Sequence, residues 1–252
     1  MEDFYFTEIR SGVGIYYSEQ CKSTSALLLQ CIESYYPDKV TAVYTYHQTA
    51  GKGQGDHTWE SEPGKNLALS IAFPGDENTN PVFWNMALTL GVRSAISQIL
   101  HQPTFIKWPN DIFVNGLKIS GLLLESTTNK QHEKIFTAGV GVNVNQSTWM
   151  GNFVATSIYI ESKHLSNIID VLHEIIDHIL FYYNELRLHK YEAIKTEFNA
   201  NLLYLNTEIQ LDLLNGETTV GVLRYIDEAG RICLEIKGDI QKYHHGEARI
   251  RK

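Results

Sequence analysis

Hydrophobic and polar positions alternate over residues 40–46, with Val40, Ala42, Tyr44 and Tyr46 on one face and Thr41, Val43 and Thr45 on the other. That period predicts a β-strand. It runs into residues 47–59, a loop with glycine at 51, 53 and 55 and an indole at Trp59. Further strands are predicted at 14–18, 66–73, 112–114, 118–125 and 136–144, with Asn115-Gly116 as a hairpin turn between the third and fourth of these. Helical spacing appears first after Ser23-Thr24-Ser25, where Ala26, Leu27, Leu28, Leu29, Cys31 and Ile32 follow hydroxyls placed to cap a helix. Pro81 precedes a second helix over 83–100, whose Ala87 and Gly91 would let it pack closely on a sheet. From Ser166 a long helix shows the apolar stripe Ile168, Leu172, Ile175, Ile179 and Leu186 behind a serine cap, and a shorter one follows at 191–203.

Past Asn206 the pattern shortens to strands at 208–213, 218–226, 231–236, 240–244 and 248–251, with turns at 215–216 and 227–230. This predicts a small β-barrel. A unit of roughly 46 residues buries too little apolar surface to stand alone, so it should lean on the larger part. The expected division is 1–205 and 206–252.

Composition is that of a folded globular chain: 252 residues, 43% hydrophobic and 20% charged. A formal net charge of −8, with no basic stripe or tail, argues against a general grip on nucleic-acid phosphate. Cysteines at 21, 31 and 233 lack C-x-x-C spacing, which disfavours a disulfide framework and a zinc site and suits a reducing cytosol. His173 and His178, five apart, do not share a helical face and are read as incidental. Residues 1–20 lack a basic, apolar leader pattern, and no apolar run reaches membrane-spanning length, so neither export nor membrane insertion is expected.

Four stretches carry candidate chemistry. In the glycine loop, backbone N–H groups can turn toward an anion, Lys52 adds a point charge and Trp59 offers a flat face. The loop should be mobile, and it matches neither the P-loop pattern nor the dinucleotide fingerprint. In the hairpin, Asp111 opens the first arm and Lys118 lies near the start of the return arm, within reach of one ligand. The plainer reading is an exposed cross-strand ion pair worth under ~1 kcal/mol. Against it, Trp108-Pro109-Asn110 makes a rigid corner just before the strand. In 139–143, Gly139 and Gly141 share a face with Asn143; glycine inside a strand is explained by something approaching the backbone, either a ligand or a covering helix. Ser23 and Thr24, at a helix N-terminus, also suit a polar ligand head.

Taken together, Ser23-Thr24-Ser25, Gln48-x-x-Gly51-Lys52-Gly53 with Trp59, Asn66-Leu67-x-Leu69-Ser70, Lys107-Trp108-Pro109-Asn110-Asp111, Lys118-Ile119-x-Gly121 and Gly139-x-Gly141-x-Asn143 resemble the biotin protein ligases in order and spacing. The resemblance covers roughly residues 15–145. It implies an α+β fold, a mixed β-sheet catalytic domain packed with helices plus a small C-terminal SH3-like β-barrel. It implies a two-step reaction in which biotin and ATP give biotinyl-AMP, and a lysine of a biotin carboxyl carrier protein domain of a biotin-dependent carboxylase then takes the biotin. The implied cofactors and substrates are ATP, Mg²⁺ and biotin. The implied catalytic residues are Lys118 and Asp111, with Asp111 also a possible Mg²⁺ ligand. Biotin would be held by Ser23, Thr24, Ser25, Gln48, Lys52, Gly53, Gln54, Lys118 and Gly121. ATP would be held by Gly51, Lys52, Gly53, Trp59, Asn110, Asp111 and Asn143. The implied setting is cytoplasmic, without DNA or membrane partners, and a homodimer stays open.

A lipoate or octanoate ligase or transferase of the same fold is the alternative, and it leaves Lys-Trp-Pro-Asn-Asp unexplained. A non-catalytic binding module would need neither Lys118 nor Asp111. About 14 residues precede the first expected strand, too few for a helix-turn-helix domain.

The chain departs from the family at the loop, where Lys52, Gln54 and Gly55 stand in place of an arginine-rich stretch and Asp56 replaces a common glycine, and at Ser25, where asparagine is frequent. Lysine lacks the arginine fork, and a carboxylate near a polyphosphate opposes its charge. Asp56→Gly is therefore expected to slow release of biotinyl-AMP and lower the KM for ATP, with the larger gain at low salt. Release from the glycine variant at low salt that equals or exceeds wild type would show that Asp56 is no liability.

Overall fold

The computed structural model describes residues 3–35, 39–53, 55, 58–75, 79–128, 133–149 and 155–251. Gln54 and Asp56 of the glycine loop lie outside them. An eight-stranded mixed sheet is built from β1 (Tyr5–Arg10), β2 (Val13–Tyr17), β3 (Thr41–Thr45), β4 (Leu67–Pro74), β5 (Phe105–Lys107), β6 (Asp111–Val114), β7 (Leu117–Thr128) and β8 (Lys134–Val142), in spatial order β1-β2-β3-β4-β8-β7-β6-β5. Among the described strands only the neighbours β2 and β3 pair parallel, and the crossover between them is α1 (Thr24–Tyr35).

Both faces of the central strands are covered, so β3 and β4 are buried almost throughout despite the alternation of residues 40–46. On one face Ala42, Tyr44, Leu69, Ile71, Phe73, Ala138 and Val140 join the main core, together with α2 (Pro81–Leu100) and α4 (Ile168–Arg187). On the other, α1 lays Leu27, Leu28, Cys31 and Ile32 against Tyr16, Val43 and Ala72. Burial pushes the Cys31 thiol up to about 12, and the three cysteines are buried thiols outside any disulfide. No helix among the described residues is long and apolar enough to cross a membrane.

Helix α2 begins as its sequence requires: the Asn80 side chain accepts from the Val82 N–H and Pro81 occupies the first turn. Gly91 serves a different contact from the one expected. A Cβ there would lie 2.7 Å from the Cα of Ile179, so the small residue lets α2 meet α4 and not the sheet. The cap of α4 is Asn167, which accepts from Ile169 N–H, whereas Ser166 donates its own N–H to Asn145. A short α3 (Ile158–Ser162) and α5 (Tyr191–Ala200) complete the helices.

Beyond α5, β9 (Glu208–Leu213), β10 (Thr218–Ile226), β11 (Ile232–Ile236), β12 (Asp239–Tyr243) and β13 (Ala248–Arg251) form an antiparallel sheet in the order β12-β11-β10-β9-β13. The expected barrel thus appears as a five-stranded sheet with β12 and β13 at its ends. Its Ile209, Leu211, Leu223, Ile226, Ile232 and Leu234 belong to the same contiguous core as the large sheet. Two strands escaped the sequence pattern. In β1, a register shift between Phe6 and Glu8 breaks the period, and Tyr5, Phe6 and Ile9 stay exposed at the sheet edge. β5 is only three residues long.

Gly91→Ala is expected to destabilise the protein by about 1–3 kcal/mol, because the new methyl meets backbone and not a yielding side chain. Denaturant unfolding checks this; an unchanged midpoint would show that the helices can part freely.

Candidate active site

The Asn115-Gly116 turn, with φ of 50° and 80°, is a left-handed pair of the kind that closes a two-residue hairpin. It sets β6 against β7, but the register slips: Ile112 pairs with Ser120 and Phe113 with Lys118, which leaves Ile119 as the extra residue of a bulge. The slip decides the chemistry. Asp111 pairs with Gly121 and Phe113 with Lys118, so Asp111, Lys118 and Gly121 all face the same side of the sheet. Lys118 Nζ then reaches over Gly121 to Asp111 Oδ1 at 2.6 Å. A Cβ on Gly121 would stand 3.0 Å from that oxygen and 3.2 Å from Nζ, so a side chain there would press the pair aside by a few tenths of an ångström. The side chains keep 23% and 32% of their exposure, open enough for an incoming ligand to compete for them.

The sheet beside this pair is bare. Gly121 pairs with Gly141 on β8, and Gly141 with Ala68 on β4. Trp59 lies on that floor: a Cβ at Gly141 would overlap its ring carbons, and Lys118 Nζ stands 5.7 Å from the ring centroid. The loop returns to this position through Trp59 N–H donating to Gly51 O at 3.0 Å and a single bridge between Lys52 and Thr58. Lys52 itself is exposed. Gly51 is hemmed in, since a Cβ there would come within 2.5 Å of Gln48 Nε2 and 2.9 Å of Trp59 O.

At the far end of the floor, residues 21–22 and 47–50 run side by side, with Cys21 N–H donating to His47 O, and Thr49 and Ala50 N–H donating to Cys21 O and Lys22 O. That brings Gln48 to the start of α1. Its Oε1 accepts from Thr24 N–H at 2.9 Å and from Thr24 Oγ1 at 3.1 Å, satisfying a helix-start donor from another segment. Because a backbone N–H only donates, this contact also fixes which end of the amide is the oxygen. Ser70 Oγ donates to Thr24 Oγ1 at 2.8 Å and lies 3.1 Å from Ser25 Oγ. Ser25 in turn sits over Gly139, 3.2 Å from a Cβ built there. Ser70 is the member of this chain of hydroxyls that sequence reasoning noted only as part of a motif.

Two asparagines of the motifs do structural work. Asn110 is buried; its Nδ2 donates to Leu122 O while Leu122 N–H donates to Asn110 O, which ties the entry of β6 to β7. Asn143 Nδ2 donates to Thr156 O at 3.0 Å, and Thr156 N–H donates to Lys118 O at 2.9 Å, so residues 155–156 brace the strand that carries Lys118. Asn143 Oδ1 is buried without a hydrogen-bond partner among the described residues, as is Trp59 Nε1. The structure therefore brings Thr24, Ser25, Gln48, Gly51, Trp59, Asp111, Lys118 and Gly121 along one trough over the glycines of β7 and β8. Asn143 sits two residues beyond Gly141 and bonds Thr156, the Ser23 carbonyl accepts from Leu27 N–H ahead of α1, and Lys52 bridges to Thr58 on the loop that carries Trp59. Nothing among the described residues gathers three or more His, Cys, Asp or Glu side chains for a metal.

Gly141→Ala is expected to lift the indole of Trp59 off the sheet while leaving the fold intact. The emission attributable to Trp59, taken as the difference from a Trp59→Phe variant, should shift to longer wavelength; an unchanged spectrum would mean that Trp59 does not rest on Gly141.

Comparison with known proteins bears on the family of the chain. Residues 17–145 match the biotin/lipoate A/B protein ligase family. The chain is similar to the bifunctional ligase/repressor BirA of Bacillus subtilis, 30% identical over 83% of this chain and 66% of that protein. It is also similar to the biotin–[acetyl-CoA-carboxylase] ligase of Mycobacterium tuberculosis, 27% identical over 87% of this chain and 82% of the relative. Among solved structures, the biotin protein ligase of Aquifex aeolicus in complex with biotin and ATP shares the fold, with a TM-score of 0.79, 24% identity and coverage of 94% and 98% of the two chains. By its sequence match, over the residues that build the trough, this chain belongs to the biotin/lipoate A/B protein ligase family.

Proposed function

We infer that this chain is an ATP-dependent biotin protein ligase. The observation that carries the inference is the Lys118 ammonium held 2.6 Å from Asp111 across Gly121, on a stretch of sheet kept bare by Gly121 and Gly141. A floor of this kind takes a flat group against the backbone, as it takes the indole of Trp59 at Gly141, and we place the meeting of the two anions at the Lys118 ammonium. In the first step a biotin carboxylate oxygen bonds to the α-phosphorus of ATP and the bond to pyrophosphate breaks, giving biotinyl-AMP. In the second, a lysine nitrogen of the carrier protein bonds to the acyl carbon, AMP leaves with the electron pair of the broken C–O bond, and the amine loses its proton.

Lys118 offsets the negative charge that gathers as carboxylate and phosphate approach, and it does so with little reorganisation, because Thr156 braces its strand and Asp111 holds its ammonium. Asp111 holds the ammonium in place and is positioned to take part in amine attack. Gln48, with Oε1 satisfied by Thr24, offers Nε2 as a donor to an acceptor on the ligand, and Ser23, Thr24 and Ser25 line the same end. This favours biotin, whose ureido carbonyl puts an acceptor at the end away from the carboxylate, over lipoate or octanoate, which carry no amide or urea oxygen there. Trp59 and Asn143 serve the nucleotide: the indole as a stacking face, and the unpaired Oδ1 as an acceptor for a base amine. By the family resemblance Gly51, Lys52, Gly53 and Gln54 would serve the phosphates and the biotin tail, and Asn110 acts by fixing the corner before Asp111.

Mg²⁺ fits this donor set, since it is commonly held by one carboxylate, water and substrate phosphates; Asp111 would be the protein ligand, and the ion would neutralise phosphate charge. The acceptor we propose is the biotin carboxyl carrier domain of a biotin-dependent carboxylase, in the cytoplasm, with residues 1–205 as the catalytic domain and 206–252 as a C-terminal domain. A carrier-biotinylation assay with ATP and Mg²⁺ tests the function, and transfer of lipoate or octanoate in place of biotin would refute it.

Lys118→Ala is expected to slow adenylate formation by two or more orders of magnitude, about 3 kcal/mol, with the fold unchanged. Adenylation at the wild-type rate would remove Lys118 from the chemistry.

A further inference from the structure

We propose that Trp108 is the positioning residue through which the C-terminal sheet sets the geometry of the Asp111–Lys118 pair; the proposal rests on the ligase reading. Trp108 is buried, and its Nε1 donates to the Gly230 carbonyl at 3.0 Å in the turn between β10 and β11. Its ring stands edge-on to His245, with centroids 5.1 Å apart at 80°, in the turn between β12 and β13. Two turns of the C-terminal sheet thus hold one side chain of the catalytic motif.

The acceptor on that sheet is itself built to stay put. Gly230 has φ +74°, and Asp227 organises its turn by accepting from the N–H groups of Ala229 and Arg231, both at 3.0 Å, and from Arg231 Nε at 2.9 Å. Lys242 of β12 adds a contact at 3.4 Å. Burial pushes the Asp227 carboxyl up, but the Arg231 guanidinium and these donors outweigh it and hold the group below the usual carboxylate range. The turn therefore keeps a charged, ordered anchor beneath the Gly230 carbonyl.

On the other side, Trp108-Pro109-Asn110 runs directly into Asp111, and each residue of the corner is tied to a different element. Trp108 is bonded to the C-terminal turn, Pro109 O accepts from Asn85 Nδ2 of α2 at 3.2 Å, and Asn110 is tied to Leu122 of β7. The Asp111 carboxylate has little latitude, because it must clear Gly121 while meeting Lys118. A cavity of about 320 Å³ lies beside the corner, lined in part by Trp108, Met86, Leu123, Ile226 and His245. An indole released from Gly230 has room to move into it, and Asp111 would follow. Small misplacements of this kind are known to cost up to 10²-fold in rate.

If the C-terminal sheet merely covered apolar surface, removing one indole donor while keeping an aromatic ring would alter stability alone. Trp108→Phe separates the two cases. With biotin, ATP and a carrier protein to take the biotin, measured by pyrophosphate release, it is expected to lower kcat by about 10-fold, with the KM for biotin unchanged and little loss in Tm. Asp227→Ala, on the opposite side of the clasp, should lower kcat similarly, and the double variant should lose no more than the worse single one. Wild-type turnover with an unchanged kcat in Trp108→Phe would overturn the clasp alone. Losses that multiply in the double variant, or a biotin KM that rises in step, would also overturn it by showing general loosening. Absence of biotin-dependent pyrophosphate release in the wild type would overturn the ligase reading and the clasp with it.

Discussion

The constraint on which the site depends is the absence of Cβ atoms on one stretch of one sheet face. Gly121, Gly139 and Gly141 sit on adjacent strands, and each has another residue's side chain directly above it: the Lys118–Asp111 pair, Ser25 and Trp59. A strand pays for an internal glycine in stability. Here three are tolerated because the opposite face of β7 and β8 is packed into the main core through Leu122, Ala138, Val140 and Val142. Rigidity from one face is what lets the other remain bare. The same arrangement explains why the functional side chains come from loops and strand ends: α1 covers the β2–β4 end of that face and reaches Gly139 through Ser25, while Gly141 lies under Trp59 of the loop.

Polar groups at the trough are held by bonds that leave one valence spare. Gln48 spends its oxygen on Thr24, and Asn143 spends its amide nitrogen on Thr156. In each case the remaining atom is oriented by the bond already made, so recognition does not depend on a freely rotating side chain. Asn110 illustrates the other outcome, since its Nδ2 and backbone groups go to Leu122 and its contribution is the shape of the corner ahead of Asp111.

Much of this was legible in the sequence because it is local. Asn115-Gly116 announced its hairpin, the apolar stripe of residues 168–186 announced α4, and the C-terminal strands fell within a residue of their expected bounds. The glycines of 139–141 were read as marking close approach, and close approach is what they provide. What stayed hidden was non-local. The bulge at Ile119, which turns Lys118 toward Asp111, depends on how two strands register, and simple alternation along β7 does not reveal it. Gln48 reaching the first turn of α1, Gly91 meeting α4 in place of the sheet, and Trp108 reaching Gly230 each join segments distant in sequence. β1 was missed because an edge strand with a bulge and exposed Tyr5, Phe6 and Ile9 lacks the burial that produces a period. The motif residues identified a family, while the division of labour among them required the contacts.

The central claim is that the bare floor and its ion pair form an acyl-adenylate from biotin before any carrier protein binds. The most direct measurement is exchange of labelled pyrophosphate into ATP by the purified chain with Mg²⁺, without carrier, in the presence of biotin, lipoate or octanoate in turn. The account predicts exchange that depends on biotin and is absent with the other two acids. Exchange supported by lipoate or octanoate but not by biotin, or none with any acid until carrier is added, would contradict it.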